Sequence, residues 1–238
     1  FLGGITTVDV SQDEKYIITG SADCTVKLLS VKSKIVLGVF EDLHTGNELT
    51  ITHTSFKGRS RMHPQVVFSP NSKIFASCGD DKCINIVDIP SRQILATFSD
   101  ISQGEIIHFF EEKRRSNLNL FAALFLDYIR ALDFSKDGKL LVAGSDDLKV
   151  TVIDVSLMKV VKVLDSGHSS NKPMIVDRIL TKHVSSGYIR VIKFGIDNKT
   201  VITASDDKTL RVLNLETGDS QLVVQEPHSC NYLILPGL

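Results

Sequence analysis

The sequence predicts an all-β protein assembled from four copies of one four-stranded unit. Three observations carry this. The 238-residue chain repeats itself, and missing such a period would misassign the whole fold. Blocks 5–41, 63–99, 129–165 and 189–225, each 37 residues long, align without a gap on one shared turn: Ser21-Ala22-Asp23, Gly79-Asp80-Asp81, Ser145-Asp146-Asp147 and Ser205-Asp206-Asp207. The run after the turn also recurs closely, as Thr25 to Val31, Cys83 to Ile89, Lys149 to Val155 and Thr209 to Leu215. Finally, the apolar runs are short, rich in β-branched residues and punctuated by turn formers, which favours strand over helix.

The elements follow in order within each block. The first strand is apolar at alternate positions, as in Leu132 and Phe134 or Ile192 and Phe194, and a period of two is the strand period. A turn follows at Asp137-Gly138 or Asp197-Asn198, residues that tolerate turn dihedrals. The second strand is a compact apolar run such as Leu140 to Ala143. The shared Ser/Gly-Asp-Asp turn leads into the third strand. The fourth strand is Lys34 to Phe40, Arg92 to Phe98, Lys159 to Leu164 or Gln221 to Val224. Four-stranded units at regular spacing indicate a β-propeller, each sheet packing on its neighbours.

Position by position, the four blocks resemble the WD-repeat family over 148 of the 238 residues. The family's structural Asp in the turn between second and third strands falls on Asp23, Asp81, Asp147 and Asp207. Its Ser or Thr on the second strand falls on Thr19, Ser77 and Thr203, with Ala143 in the third copy. The family's Trp-Asp pair is degraded. Leu29, Val87, Ile153 and Leu213 stand at the Trp position, the chain has no Trp at all, and the partner Asp survives only as Asp88 and Asp154. The Gly-His pair that precedes a first strand occurs once, as Gly167-His168, and is displaced along the chain. The resemblance therefore implies that the family's buried Trp-Ser/Thr-His-Asp chain is complete in no blade. Less rigid blades are expected, since partly satisfied polar networks are costly.

The shared Asp residues are 58, 66 and 60 residues apart, whereas a propeller repeat is about 40–45. The surplus lies between the fourth strand of one blade and the first of the next, at 42–62, 100–128 and 166–188. In the family these connections share one face, and one-sided insertions often mark a binding face. Joining Gly167-His168-Ser169 to Ser186-Gly187-Tyr188-Ile189 restores a family-like approach to the fourth blade, so residues 170–185 interrupt a normal repeat. They are either a genuine loop or sequence retained by an incorrect gene model. Four blades are few for a family that usually closes with seven, and Pro227-His228-Ser229 reads as the approach to a fifth. A segment of a larger propeller is therefore expected.

Composition narrows the function. With 27 Lys plus Arg against 28 Asp plus Glu the net charge is −1, so general attraction to nucleic acid or an anionic membrane is not expected. No apolar run approaches membrane-spanning length and no secretory leader is visible. Four cysteines are no disulfide framework and suggest a reducing compartment, the cytoplasm or the nucleus. The Asp pairs at 80–81, 146–147 and 206–207 read as turn residues rather than acid–base or metal groups, because adjacent residues at a strand end point apart. The seven His lie mostly in the connections and read as solvated. Cys78 and Cys83 flank one turn and read as buried apolar residues. No phosphate loop, nucleophile elbow or Ser/His/Asp arrangement is apparent, so no catalytic, cofactor or metal site is expected.

The connections carry the remaining signal. The first holds Lys57, Arg59, Arg61 and His63. The second holds Ile106, Ile107, Phe109 and Phe110, then a charged run 111–115, then seven consecutive apolar residues from Leu120 to Leu126. Such a run either packs on the propeller or docks a partner. The expected function is a non-catalytic scaffold binding a protein or peptide through the inter-blade face. Arg59, Arg61, Phe109, Phe110, Phe121 and Phe125 are the candidate contacts. The alternative is the sensing or targeting domain of a larger regulatory enzyme or a ubiquitin-ligase adaptor.

Overall fold

The computed structural model describes residues 4–41, 43–44, 65–99, 128–169 and 188–225. They form four antiparallel meanders and, among the described residues, no helix. The first sheet holds β1 (Ile5–Val10), β2 (Tyr16–Ser21), β3 (Val26–Ser30) and β4 (Val36–Phe40). The second holds β5 (Gln65–Phe68), β6 (Ile74–Cys78), β7 (Ile84–Asp88) and β8 (Ile94–Phe98). The third holds β9 (Ile129–Phe134), β10 (Leu140–Ser145), β11 (Lys149–Asp154) and β12 (Lys159–Asp165). The fourth holds β13 (Ile189–Phe194), β14 (Thr200–Ser205), β15 (Thr209–Asn214) and β16 (Ser220–Gln225). The first two sheets belong to one compact unit, Phe1–Ile129, and the last two, apart from Ile129, to another, Arg130–Leu238.

All four blocks fold alike because their turns do. Each hairpin places one residue in the left-handed region at the same repeat position. These are Glu14, Ser72, Gly138 and Asn198 in the first turn, and Cys24, Lys82, Leu148 and Lys208 in the second. In the third they are Lys34, Arg92, Met158 and Gly218. A type I turn closed by a left-handed residue matches the twist of the strands it joins. In the second turn the shared Asp fixes this geometry. Its Oδ1 accepts the N–H two residues on, from Thr25 at 3.0 Å, Cys83 at 3.2 Å, Lys149 at 2.9 Å and Thr209 at 2.9 Å. This local bond is why an Asp recurs there, since Asp side chains mimic a backbone turn.

Packing inside each unit follows one rule. In the first unit Ile18, Val26 and Leu28, on the rear of the first sheet, meet Val66, Phe68, Phe75, Val87 and Ile89 on the front of the second. Phe40 meets Phe75 edge-on at 5.4 Å. In the second unit Val142, Val150 and Val152 meet Ile189, Ile192, Phe194, Val201, Leu213 and Leu215, at the same repeat positions. Two residues at the Trp position take part: Val87 in the first unit and Leu213 in the second are fully buried. Aliphatic side chains thus fill the space without needing a partner for an indole N–H. A polar tie recurs beside each core. Asp9 accepts the Phe68 N–H at 2.7 Å, and Asp133, at the same repeat position, accepts the Phe194 N–H at 2.8 Å.

Candidate functional site

A four-stranded meander puts the second hairpin turn and the inter-sheet connections at one end of each sheet. The shared Asp residues therefore lie where the three connections leave and rejoin the sheets. Two kinds of side-chain cluster form there.

One is buried and corrects the reading of the histidines. His44 and His168 are not solvated loop residues; both are almost completely enclosed. His44 sets Nδ1 2.9 Å from Asp81 Oδ1 and Nε2 2.9 Å from the Ser77 hydroxyl. His168 sets Nδ1 3.0 Å from Asp207 and 2.8 Å from Thr209 Oγ1, and Nε2 2.8 Å from Thr203 Oγ1. Gly167-His168 is thus displaced in sequence only: the imidazole reaches the fourth sheet from before the 170–185 segment. The four-membered chain lacks its Trp, but its other three members meet in two sheets. Thr19 and Asp23 have no such His among the described residues, and Ala143 supplies no hydroxyl beside Asp147.

Burial is the largest influence on His168 and holds its pKa below 6.5, outweighing the Asp207 carboxylate, which pulls it up. The neutral ring then donates through Nδ1 to Asp207 and accepts the Thr203 hydroxyl proton at Nε2. Burial pushes Asp207 up, but hydrogen bonds from Thr209 and the Ser169 N–H, with His168 beside it, hold its carboxyl below the usual range. Ser77-His44-Asp81 and Thr203-His168-Asp207 have the connectivity of a hydrolytic triad, an arrangement not apparent in the sequence. Both hydroxyl-bearing residues are fully buried, so no substrate reaches them. The clusters brace the chain approaching the second and fourth sheets.

The other cluster is only partly enclosed: the Arg190 side chain is exposed, whereas those of Arg130 and Asp146 are largely buried. Tyr128-Ile129-Arg130 and Tyr188-Ile189-Arg190 stand at the same repeat position, and both Ile residues are buried. Arg130 is bidentate on Asp146, with Nε 3.0 Å from Oδ1 and Nη2 3.0 Å from Oδ2. Arg190 reaches Asp206 through Nε at 2.9 Å and Nη2 at 2.6 Å. The Tyr188 ring has the Arg130 guanidinium 5.7 Å from its centroid and that of Arg190 5.3 Å away. Cation–π attraction favours this grouping, at about 0.5–1 kcal/mol per contact where solvent is near. Lys82 stands 6.0 Å from the ring of Tyr128.

The two carboxylates of each turn therefore have separate duties. Asp147 and Asp207 hold their turns, while Asp146 and Asp206 orient the arginines. Among the described residues no group of three or more His, Cys, Asp or Glu is placed to hold a metal ion. Cys78 is fully buried, and burial, with Asp81 adding to it, pushes the Cys83 thiol up to about 12. Arg59, Arg61, Phe109, Phe110, Phe121 and Phe125 lie outside the described residues. Sequence reading passed over the Tyr-Ile-Arg repeat, although aligning the third and fourth blocks displays it. It passed over His44 because no Gly precedes it and 37 residues separate it from Asp81.

A sequence model described as "WD domain, G-beta repeat" matches residues 2–30, 54–88, 125–154 and 175–214. Protein hir1 of Emericella nidulans is 27% identical over 210 residues, covering 87% of this chain and 17% of that protein. Anaphase-promoting complex subunit cdc20 of Dictyostelium discoideum is 28% identical over 200 residues, covering 79% of this chain and 38% of that one. The solved structure of U3-55K superposes with a TM-score of 0.62 at 20% identity, over 93% of this chain and 51% of that chain. The chain thus spans about half of that structure and a smaller share of these curated relatives.

Proposed function

Since the chain belongs to the WD40 repeat family, whose members serve in general as protein-interaction scaffolds, we propose that it binds a protein or peptide partner, without catalysis, through the end that carries the inter-blade connections. The observation that carries this reading is the Arg130–Tyr188–Arg190 stack. Aromatic and arginine side chains dominate binding energy at interfaces, and here Asp146 and Asp206 hold the guanidiniums in place before any partner arrives. Pre-ordered side chains lose less entropy on binding. A partner with acidic or aromatic groups fits such a surface. The contacts named from the sequence, Arg59, Arg61, Phe109, Phe110, Phe121 and Phe125, belong to connections that leave and rejoin the sheets at this end.

The test is quantitative affinity purification with the wild-type chain, Tyr188→Ala with Arg190→Glu, Phe121→Ala with Phe125→Ala, and a control at the opposite end, Lys139→Glu. Thermal unfolding checks each variant. Partners recovered with wild type and control, and reduced at least tenfold with either site variant, support the reading. An unchanged set of partners with folded variants overturns it. The second reading, a targeting domain of a larger regulatory enzyme or an adaptor, draws support from cdc20, whose printed name makes it a complex subunit and which this chain covers only in part. The blade count, four against the family's usual seven, supports the chain as a segment of a larger propeller.

A further inference from the structure

The Arg130–Tyr188–Arg190 group is not a requirement of the blade. At the matching positions the first sheet has Gly4, Ile5 and Thr6, with Ala22 where Asp146 and Asp206 stand, and it forms the same four strands. Only the third and fourth blocks combine Tyr, Arg and Asp at these positions. The group is an addition to the fold, and its chemistry selects a ligand.

Two features set the ligand class. The first is charge. Arg130 lies 3.0 Å from Asp146 and Arg190 2.6 Å from Asp206, so each guanidinium already faces a carboxylate. The second turns of the two sheets hold four carboxylates, Asp146, Asp147, Asp206 and Asp207, and the cations beside them are Arg130, Arg190, Lys149 and Lys208. These charges balance, so no surplus of positive charge draws an anion. The other feature is the surface left open. The Arg130 and Asp146 side chains are 17% and 4% exposed, whereas that of Arg190 is 41% exposed. Arg190 donates through Nε and Nη2 to Asp206, which orients its guanidinium, and stands over the Tyr188 ring at 5.3 Å. What it still offers is a flat, weakly hydrated cationic surface on which an aromatic ring stacks.

We propose that Arg190 is the recognition point for an aromatic side chain of the partner, a Trp, Tyr or Phe that stacks on its guanidinium and extends the Arg130–Tyr188–Arg190 series by one ring. This rests on partner binding at the connection end and names the chemistry of that partner. An acidic side chain is the poorer ligand, because it meets the Asp206 carboxylate beside the guanidinium it would pair with. Stacking uses the flat of the guanidinium and leaves its bonds to Asp206 intact.

The test is the nuclear magnetic resonance spectrum of isotopically labelled arginine Nε–H groups in the full 238-residue chain, titrated with the blocked tripeptides Gly-Trp-Gly, Gly-Leu-Gly and Gly-Glu-Gly. The Arg190 signal is identified by its loss in Arg190→Lys. Gly-Trp-Gly should move that signal upfield, as a ring lying over it requires, and added salt should leave the shift unchanged. The other two peptides should move it at least tenfold less at equal concentration. The chain has no Trp, so the indole emission of the probe is a second readout. Its change on binding should fall at least threefold with Arg190→Lys, which keeps the charge and loses the plane, and stay the same with Lys139→Glu. A Gly-Glu-Gly shift as large as that of Gly-Trp-Gly, or an Arg190→Lys variant that binds the indole as well as wild type, overturns the proposal. If the site variants lose partners in affinity purification while Gly-Trp-Gly leaves Arg190 unmoved, the aromatic ligand class fails and the connection end still binds protein. If Gly-Trp-Gly stacks and the partners are unchanged, the ligand class stands and the scaffold reading fails.

Discussion

At the residue scale, the left-handed turn positions make the sharpest predictions. Lys34 is exposed at φ 57°. A side chain there costs about 1–2 kcal/mol relative to the right-handed region. Lys34→Gly removes that strain and adds entropy to the unfolded chain, so a net gain of about 0.5–1 kcal/mol is expected from denaturant midpoints. Gly138→Ala, at φ 70°, should lose about 1 kcal/mol in the same assay. His168 predicts a pH dependence. Its folded pKa lies below 6.5, so the unfolded chain takes up a proton first as pH falls. Its stabilising contribution is full above 6.5 and declines as pH drops toward the folded value; that of Asp207 is lost further down, below 3.8. Thermal unfolding between pH 8 and 5 should show this loss, and His168→Gln should flatten it. Cys83, pushed up to about 12, should alkylate far more slowly at pH 8 in the folded chain than in denaturant, as read by peptide mass mapping. The turn Asp residues were legible in sequence because their partners lie two residues away. His44 was not, because its partners are 33 and 37 residues away across an insertion.

At the element scale, each sheet is local and each pair of sheets is not. Strand order, hairpin turns and the alternation of buried residues follow from neighbours in sequence, and the described residues form four-stranded antiparallel sheets as the repeat predicts. Which face meets which depends on close approach. Gly144 on β10 shows this: an added Cβ would stand 2.6 Å from Ile189 Cγ2 on β13. Gly144→Ala should therefore destabilise the second unit by about 1–3 kcal/mol, the usual range for overpacking. A double-mutant cycle with Ile189→Ala should recover part of that loss, because the clashing methyl is gone. No local propensity marks Gly144; only the neighbouring sheet explains it. The aliphatic residues at the Trp position were visible in the alignment, and the packing supplies a reason for two of them: Val87 and Leu213 fill the front face of their sheet beside the preceding sheet of the same unit.

At the scale of the whole molecule, stability is expected to be regional. Leu213 is fully buried in the core of the second unit, and Leu213→Ala should cost about 2–5 kcal/mol. Hydrogen exchange should show faster opening across β13 to β16, with β1 to β8 unchanged, if each unit opens on its own core. By itself the sequence determined the repeat, the strands, the turn chemistry and the family, because these depend on residue type at fixed short spacing. Only the tertiary structure decided which groups converge from afar: two enclosed imidazoles, and a tyrosine between two guanidiniums. Those depend on distance in space and access to water, which no spacing along a chain encodes.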